Sequence, residues 1–330
     1  MSSIQTYVLT GFNDLRLSQD QWTRLLAQGD TDVIFLTRQY LSAWWETLGE
    51  GQLLLTVAER DGKPIALAPL YATGGMIYFA ASSSADYLDF IGDTNSPDVL
   101  PALLATARDQ IPEFLGFKFY FIPKRSRTGE ALERAVGRLG LARVLEAEIV
   151  SPVVDLKQRA DDVQITLGRS MAKREQSFRA RGSLVVTSVT KLQAIRSSLP
   201  EFFEQHGARW RAKGLPDEFA DPRRRAFLAK FLELAADMGW LRFLRIDWAG
   251  RFLAAEFAWY YKGTHFSAPW CFTMAEAKHS PGHVLLRQSL LAAMAAGLHT
   301  YDLGIGDQEY KFRLPVHTIN CQTWGLYPSE

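Results

Sequence analysis

Apolar residues in the second half of the chain switch twice between helical and alternating spacing, and the switches mark out elements. Phe227, Phe231, Leu234, Ala235 and Met238 fall on one helical face over residues 223–238, ahead of Gly239. Three β-rich runs follow at 240–248, 251–261 and 264–272, separated by Ala249-Gly250 and Lys262-Gly263, which predicts an antiparallel meander with tight turns. A β-branched run at 183–189 and two helical stretches precede the meander. A helix from Ser280, a strand at 299–304 and a strand pair near Phe312 and at 318–326 come after it. The predicted order is β-α-α-β-β-β-α-β.

The first half repeats that order with different residues. A strand at 6–12, helices at 19–27 and 38–48, two strands around Asp61-Gly62, MIYFAA, a helix at 97–108 and the strand 117–122 follow in turn, then a further helix and ARVLEAEIV. A shared order without shared residues predicts a tandem repeat of one α/β module, a mixed, mostly antiparallel sheet flanked by helices. The polar stretch 151–162, with Pro152, is the expected link, giving modules at 1–150 and 151–330.

The 330 residues, 47% hydrophobic and 12% aromatic, are enough for two cores. No apolar run approaches the roughly 18 residues of a membrane span, and the N-terminus lacks the order of a signal peptide, so a cytoplasmic location is expected. Cys271 and Cys321 are too few for a disulfide framework, and no His, Cys or carboxylate cluster has metal-ligand spacing, so no metal is expected. Residues 1–150 hold 13 Lys and Arg against 18 Asp and Glu, and residues 151–330 hold 24 against 18, giving −5 and +6. That excess is too modest to point to nucleic acid, but it places positive charge in the half that carries the candidate chemistry.

The chemistry centres on HSPGHVLLRQSLLAAMAAGLHTYDLGIGDQEYK, residues 279–311. Ser280 reads as an N-cap, Pro281 suits the first helical position and Gly282 allows close approach to the backbone. No acid lies between Lys278 and Leu298, while Lys278, His279, His283 and Arg287 cluster at the start, so the helix end is open to a phosphate or to nothing more than a core face of Leu285, Leu286, Leu290, Leu291 and Met294. Asp302, on a short strand after that helix, is a candidate general base if burial raises its pKa, or a carboxylate that orders the turn at Gly304 and Gly306. Glu256 sits amid apolar residues in AAEFAWYY, sharing a face with Ala254, Ala258 and Tyr260. It is either paired with Arg242 or Arg245 or poised for chemistry. His206, Arg209 and Trp210 read as a surface patch at a helix end or as part of an acceptor pocket. Arg169, Lys173, Arg174, Arg179 and Arg181 read as a solvated helix face or an anion seat, and His265 as structural.

The sequence LRFLRID…GRFLAAEFAWYYKGTHFSAP…HSPGHVLLRQSLLAAMAAGLHTYDLGIGDQEYKFR resembles the CelD-type branch of the GNAT acetyltransferases, close to the FemAB-like transferases with two GNAT modules. The resemblance implies an N-acyltransferase using acyl-CoA, most simply acetyl-CoA, with a small-molecule or polymer amine as acceptor held between a degenerate N-terminal module and a C-terminal donor module. It implies cofactor contacts at His279, Ser280, Gly282, His283, Val284 and Leu285, although the usual glycine-rich loop is represented only by Gly282. It also gives Tyr310 a role in protonating the thiolate and Lys311 one in holding an anionic group, beside the plainer readings of a core aromatic and a solvated lysine. The FemAB-like branch implies a different donor, aminoacyl-tRNA, which would be the chain's one nucleic-acid partner. A non-catalytic module in polysaccharide or envelope assembly is the third expectation.

Overall fold

The computed structural model describes residues 4–329, apart from the side chains of Arg169 and Ser170, so the Arg169 member of the basic segment lies outside the described residues. The chain divides into two compact units, one of Met1–Val150 with Ile319–Glu330 and one of Ser151–Thr318. The strands are β1 (Gln5–Leu9), β2 (Gln52–Arg60), β3 (Lys63–Thr73), β4 (Met76–Phe79), β5 (Ile91–Gly92), β6 (Gly116–Pro123) and β7 (Leu141–Asp155), followed by β8 (Leu184–Val189), β9 (Leu241–Trp248), β10 (Arg251–Tyr261), β11 (Thr264–Phe272), β12 (Thr300–Asp302) and β13 (Val316–Pro328). The fold is thus α/β, two GNAT-like modules in tandem.

In the first unit the ladder runs β1-β2-β3-β4-β6-β13, antiparallel throughout except for the parallel pair β4 and β6. After β4 the chain runs through buried Ala80, Ala81, Tyr87, Leu88 and Phe90, and the Leu88 N–H donates to the Phe121 carbonyl of β6 at 3.2 Å. In the second unit the ladder runs β8-β9-β10-β11-β12 and ends on residues 153–155 of β7, with β11 and β12 the parallel pair. The hairpin turns Asp61-Gly62, Gly74-Gly75, Ala249-Gly250 and Lys262-Gly263 each put both residues at positive φ, the geometry that fits the twist of the flanking strands.

Three expectations need correction. The stretch expected as a polar link continues β7 through Asp155, with Ser151, Pro152, Val153 and Val154 buried, because the short run around Val153-Val154 suits a strand covered on both faces. The expected final strand pair is one strand, β13, with Phe312 in a short 3-10 turn, Lys311–Arg313. From Ile319 onward the chain clusters with the first unit, not with the second.

Helices cover both faces of the second unit's sheet. Val284 and Leu285 of the Pro281–Ala295 helix pack with Ile246, Leu253, Ala254 and Phe178. On the other face Phe202 and Phe231, from helices Leu199–Arg211 and Pro222–Asp237, meet Phe243, Phe257 and Trp259. Alternation along β10 therefore turns Glu256 toward the Pro281–Ala295 helix and Phe257 away from it. Among the described residues no helix is long and apolar enough to cross a membrane.

Candidate active site

The site begins with a strand that outruns its neighbour. β11 pairs with β12 only at Thr264↔Thr300, His265↔Tyr301 and Phe266↔Asp302, where β12 ends, yet β11 continues to Phe272. Along its other edge the register with β10 jumps between Ala258↔Ser267 and Glu256↔Trp270, leaving one extra residue on β11 at Ala268-Pro269. A bulge bends its strand and breaks pairing locally, and proline, which has no N–H to give a ladder, is tolerated there. β11 thus carries residues 267–272 past the end of β12.

The Pro281–Ala295 helix starts beside this stretch. Pro281 occupies the first turn as expected, and no acid follows it there. Ser280 departs from the expected cap: its φ of 59° is left-handed and its hydroxyl oxygen accepts from Arg174 Nη1 at 2.8 Å instead of from the helix. An L-residue held at positive φ is strained, so neighbouring contacts must fix it. Gly282 faces protein: a Cβ there would lie 3.2 Å from Trp270 and 3.4 Å from Phe272, so the glycine admits β11 rings close to the helix. Val284 and Leu285 point into the core and can offer a ligand only backbone.

The charge expected at this start is partly used within the protein. Arg287 pairs with buried Glu175 at 2.6 Å, which Arg179 and Gln288 also meet. Burial pushes the Glu175 carboxyl up, but these partners outweigh it and hold it low. His279 lies 3.9 Å from Glu276. His283 remains, its pKa lowered first by burial and then by Arg174 and Arg313. The segment read as a solvated face therefore supplies two internal anchors, Arg174 and Arg179.

Beneath the opening lies a buried polar group. Glu256 Oε1 is 3.4 Å from the Tyr301 hydroxyl and 3.5 Å from His265 Nε2, and Tyr301 donates onward to Ser289 Oγ at 2.9 Å. The parallel register sets His265 beside Tyr301, and their rings stack at 3.9 Å and 14°. Among the described residues these are the contacts of Glu256, and neither arginine expected to pair with it does so. Arg245 is held by Asp247 and Glu201, and Arg242 lies over Tyr260. Burial, and then Glu256, hold the Tyr301 phenol far above its ordinary pKa, and the same two causes raise Tyr310, whose ring stands edge-on to Trp270. A phenol so placed stays protonated at neutral pH and can donate a proton.

Asp302 and Lys311 both bond to the loop that follows β12. Asp302 is buried and accepts from the Gly304 N–H at 2.8 Å and from Ser151 Oγ at 3.3 Å, the turn-ordering arrangement. Lys311 is not solvated. It is 3% exposed and donates to the carbonyls of Gly304 and Ile305 at 2.8 Å and of Gly306 at 3.5 Å, one for each ammonium proton.

The patch expected at the end of the Leu199–Arg211 helix is also interior. His206 accepts from Trp210 Nε1 at 2.9 Å and faces Asp217 at 3.3 Å, and burial lowers its pKa to about 4. Arg209 stacks on Trp270 with its guanidinium 3.7 Å from the ring centre. Three site residues escaped the sequence reading, Ser289, Trp270 and Tyr301. A serine amid the leucines of a buried helix face was the available signal for the first, and the Pro269 neighbour for the second.

Residues 168–312 match the family model described as an acetyltransferase (GNAT) domain. Among solved structures, FemX aligns over 97% of this chain and 96% of its own, with 11% identity and a TM-score of 0.66. A tandem GNAT protein from the clavulanic acid biosynthesis pathway aligns over 99% and 100%, with 13% identity and a TM-score of 0.59. L-PGS from Bacillus licheniformis aligns over 96% and 93%, with 13% identity and a TM-score of 0.57. No curated protein matches the chain. At these identities the structural likeness is one of fold. Residues 168–312 thus match a GNAT acetyltransferase domain, and the whole chain shares its fold with FemX and with a tandem GNAT protein.

Proposed function

We propose that this protein is an N-acyltransferase that moves an acyl group, acetyl in the simplest case, from acyl-CoA to an amine, with the donor held by the second unit alone. The observation that carries the reading is β11 running six residues past the last β12 pair, next to a helix start without an acid in its first turn. Such a strand edge can accept an extended, amide-bearing chain as an added strand, and the helix's unpaired amides suit the phosphates at the other end of that chain. His279, Ser280, Gly282 and His283, with the backbone of Val284 and Leu285, are the positions proposed to border those phosphates, and Arg174 adds positive charge there.

Acyl transfer needs a base for the attacking amine and an acid for the departing thiolate. Glu256 is the proposed base in place of Asp302, whose Oδ1 accepts from both the Gly304 N–H and Ser151 Oγ. Tyr310 is the proposed acid, kept protonated by burial and by Glu256. Asp302 and Lys311 are proposed to hold the 304–306 loop that carries the chain from β12 to Tyr310. Release of free CoA thiol from acetyl-CoA across a panel of amines tests the reading. Calorimetry that detects no binding of any CoA thioester would sink it.

A second donor, aminoacyl-tRNA, is favoured by one feature. The face of Gly282 that a glycine-rich phosphate loop would leave open is covered by Trp270 and Phe272. Binding of charged tRNA with a steep salt dependence, alongside no response to CoA thioesters, would select this reading.

A further inference from the structure

Arg209 carries a charge that the protein leaves unanswered. The residue is 8% exposed, and its guanidinium face lies on Trp270, with Trp210 and Phe272 at 5.8 and 5.7 Å. Its one hydrogen bond, from Nη1 to the Trp270 carbonyl, is long at 3.4 Å, and Nε is buried with no partner among the described residues. No Asp or Glu among the described residues pairs with it. The groups that act on its charge are Tyr310 and Cys271, and its own charge acts on His206 and on another cation, Lys213. Stacking satisfies the face of a guanidinium but not its N–H groups, and a buried cation without a counter-ion is among the most costly arrangements in a protein.

The unsatisfied edge has a shape. With Nη1 turned to Trp270, the Nε–Nη2 side remains, two parallel N–H groups that match the two oxygens of a carboxylate. Trp270 lies on the stretch of β11 beyond β12, and Tyr310 stands against the same ring, so this edge adjoins the proposed site of transfer. We infer that Arg209, with Lys213 beside it, is the seat for a carboxylate on the acceptor, which makes the acceptor an amine that also bears a carboxylate. This rests on the acyl-transfer reading for the word acceptor, but the binding site itself does not depend on it.

The test uses the full chain and small matched probes: β-alanine and γ-aminobutyrate, each against its uncharged amide, in thermal-shift and calorimetric titrations, with inorganic phosphate as the competing anion. The free carboxylates bind at least about tenfold tighter than the amides, a margin in line with a lost charged hydrogen-bond pair. Arg209→Gln removes that margin, Arg209→Lys restores part of it, and Lys213→Gln reduces it only a few-fold. Ligand-free Arg209→Gln and Arg209→Met melt at or above the wild-type temperature, because they delete an uncompensated buried charge. A clear fall in melting temperature in both variants would make Arg209 a structural strut and overturn the inference. Equal binding of acids and amides, no binding of either, or phosphate binding that Arg209→Gln abolishes along with acetyl-CoA affinity would overturn it as well. If carboxylates bind through Arg209 but no amine releases thiol from acetyl-CoA, the site stands and the acyl-transfer reading falls.

Discussion

The two units treat the same place in the same fold in opposite ways. In each, a parallel pair forms the middle of the ladder and one strand outruns the other: β6 passes the end of β4, and β11 passes the end of β12. In the first unit the chain fills the gap itself. Leu88 bonds to Phe121, Phe90 packs between Phe79 and Phe119, and Asp89 fastens the plug by accepting from Thr31, Thr128 and the Phe90 N–H. In the second unit β11 bulges away and the following segment goes directly into a helix. One module has spent its opening on its own core and the other has kept it. Fold alone therefore does not decide whether the gap beside the parallel pair stays open; the segment that follows the shared strand does.

The contrast can be broken in several ways. The largest expected effect is on turnover: Glu256→Gln lowers kcat by about 10²–10⁴ with the donor affinity little changed, the loss expected for a missing general base. The same titrations give one donor equivalent per chain, and two would end the comparison. Next is acid stability. Burial holds His206 near 4 against an ordinary 6.5, so the unfolded chain takes up its proton first and stability falls as pH drops from about 6.5 toward 4. That loss amounts to about 3 kcal/mol and is absent in His206→Gln. Asp89, whose pKa burial raises, acts in the other sense in the first unit, so the contribution of these two groups to acid unfolding weakens the second unit and spares the first. Denaturant midpoints of His206→Gln and of the unsubstituted chain across that pH range read the difference.

Asp89→Ala comes third. It leaves the Thr31 and Thr128 hydroxyls buried without their acceptor and costs about 2 kcal/mol, yet the chain still binds a single donor equivalent. A second equivalent in this variant would show that the plug alone separates the units. The smallest effect is that of Gly282→Ala, whose Cβ meets Trp270 at 3.2 Å, with a shift in donor affinity of a few-fold at most, or about 1 kcal/mol.

How much of this could be read from the sequence depended on whether a signal was local. β10 and β11 were legible to the residue because Ala249-Gly250 and Lys262-Gly263 mark their ends, and the Arg38–Leu48 helix because Gly49 stops it. Glu256 was legible as a carboxylate in an apolar strand. Its partners were not, since His265 and Tyr301 meet through a parallel register between strands thirty residues apart in the chain. The burial of Lys311 was not legible because the groups it donates to are carbonyls, which no side-chain pattern reports. Arg209 followed a helical rule that places basic residues at exposed helix ends, a rule overridden here by Trp270.

The composition of the first unit also has a consequence in time. Its sheet takes its sixth strand from β13, where Cys321, Gln322, Trp324, Gly325 and Leu326 pair with β6, after all of the second unit has been translated. A ribosome adding about 5–20 residues per second would therefore hold an incomplete first module, with the β6 edge bare, while the second module is synthesised. The half that comes first in the gene is the half that finishes last.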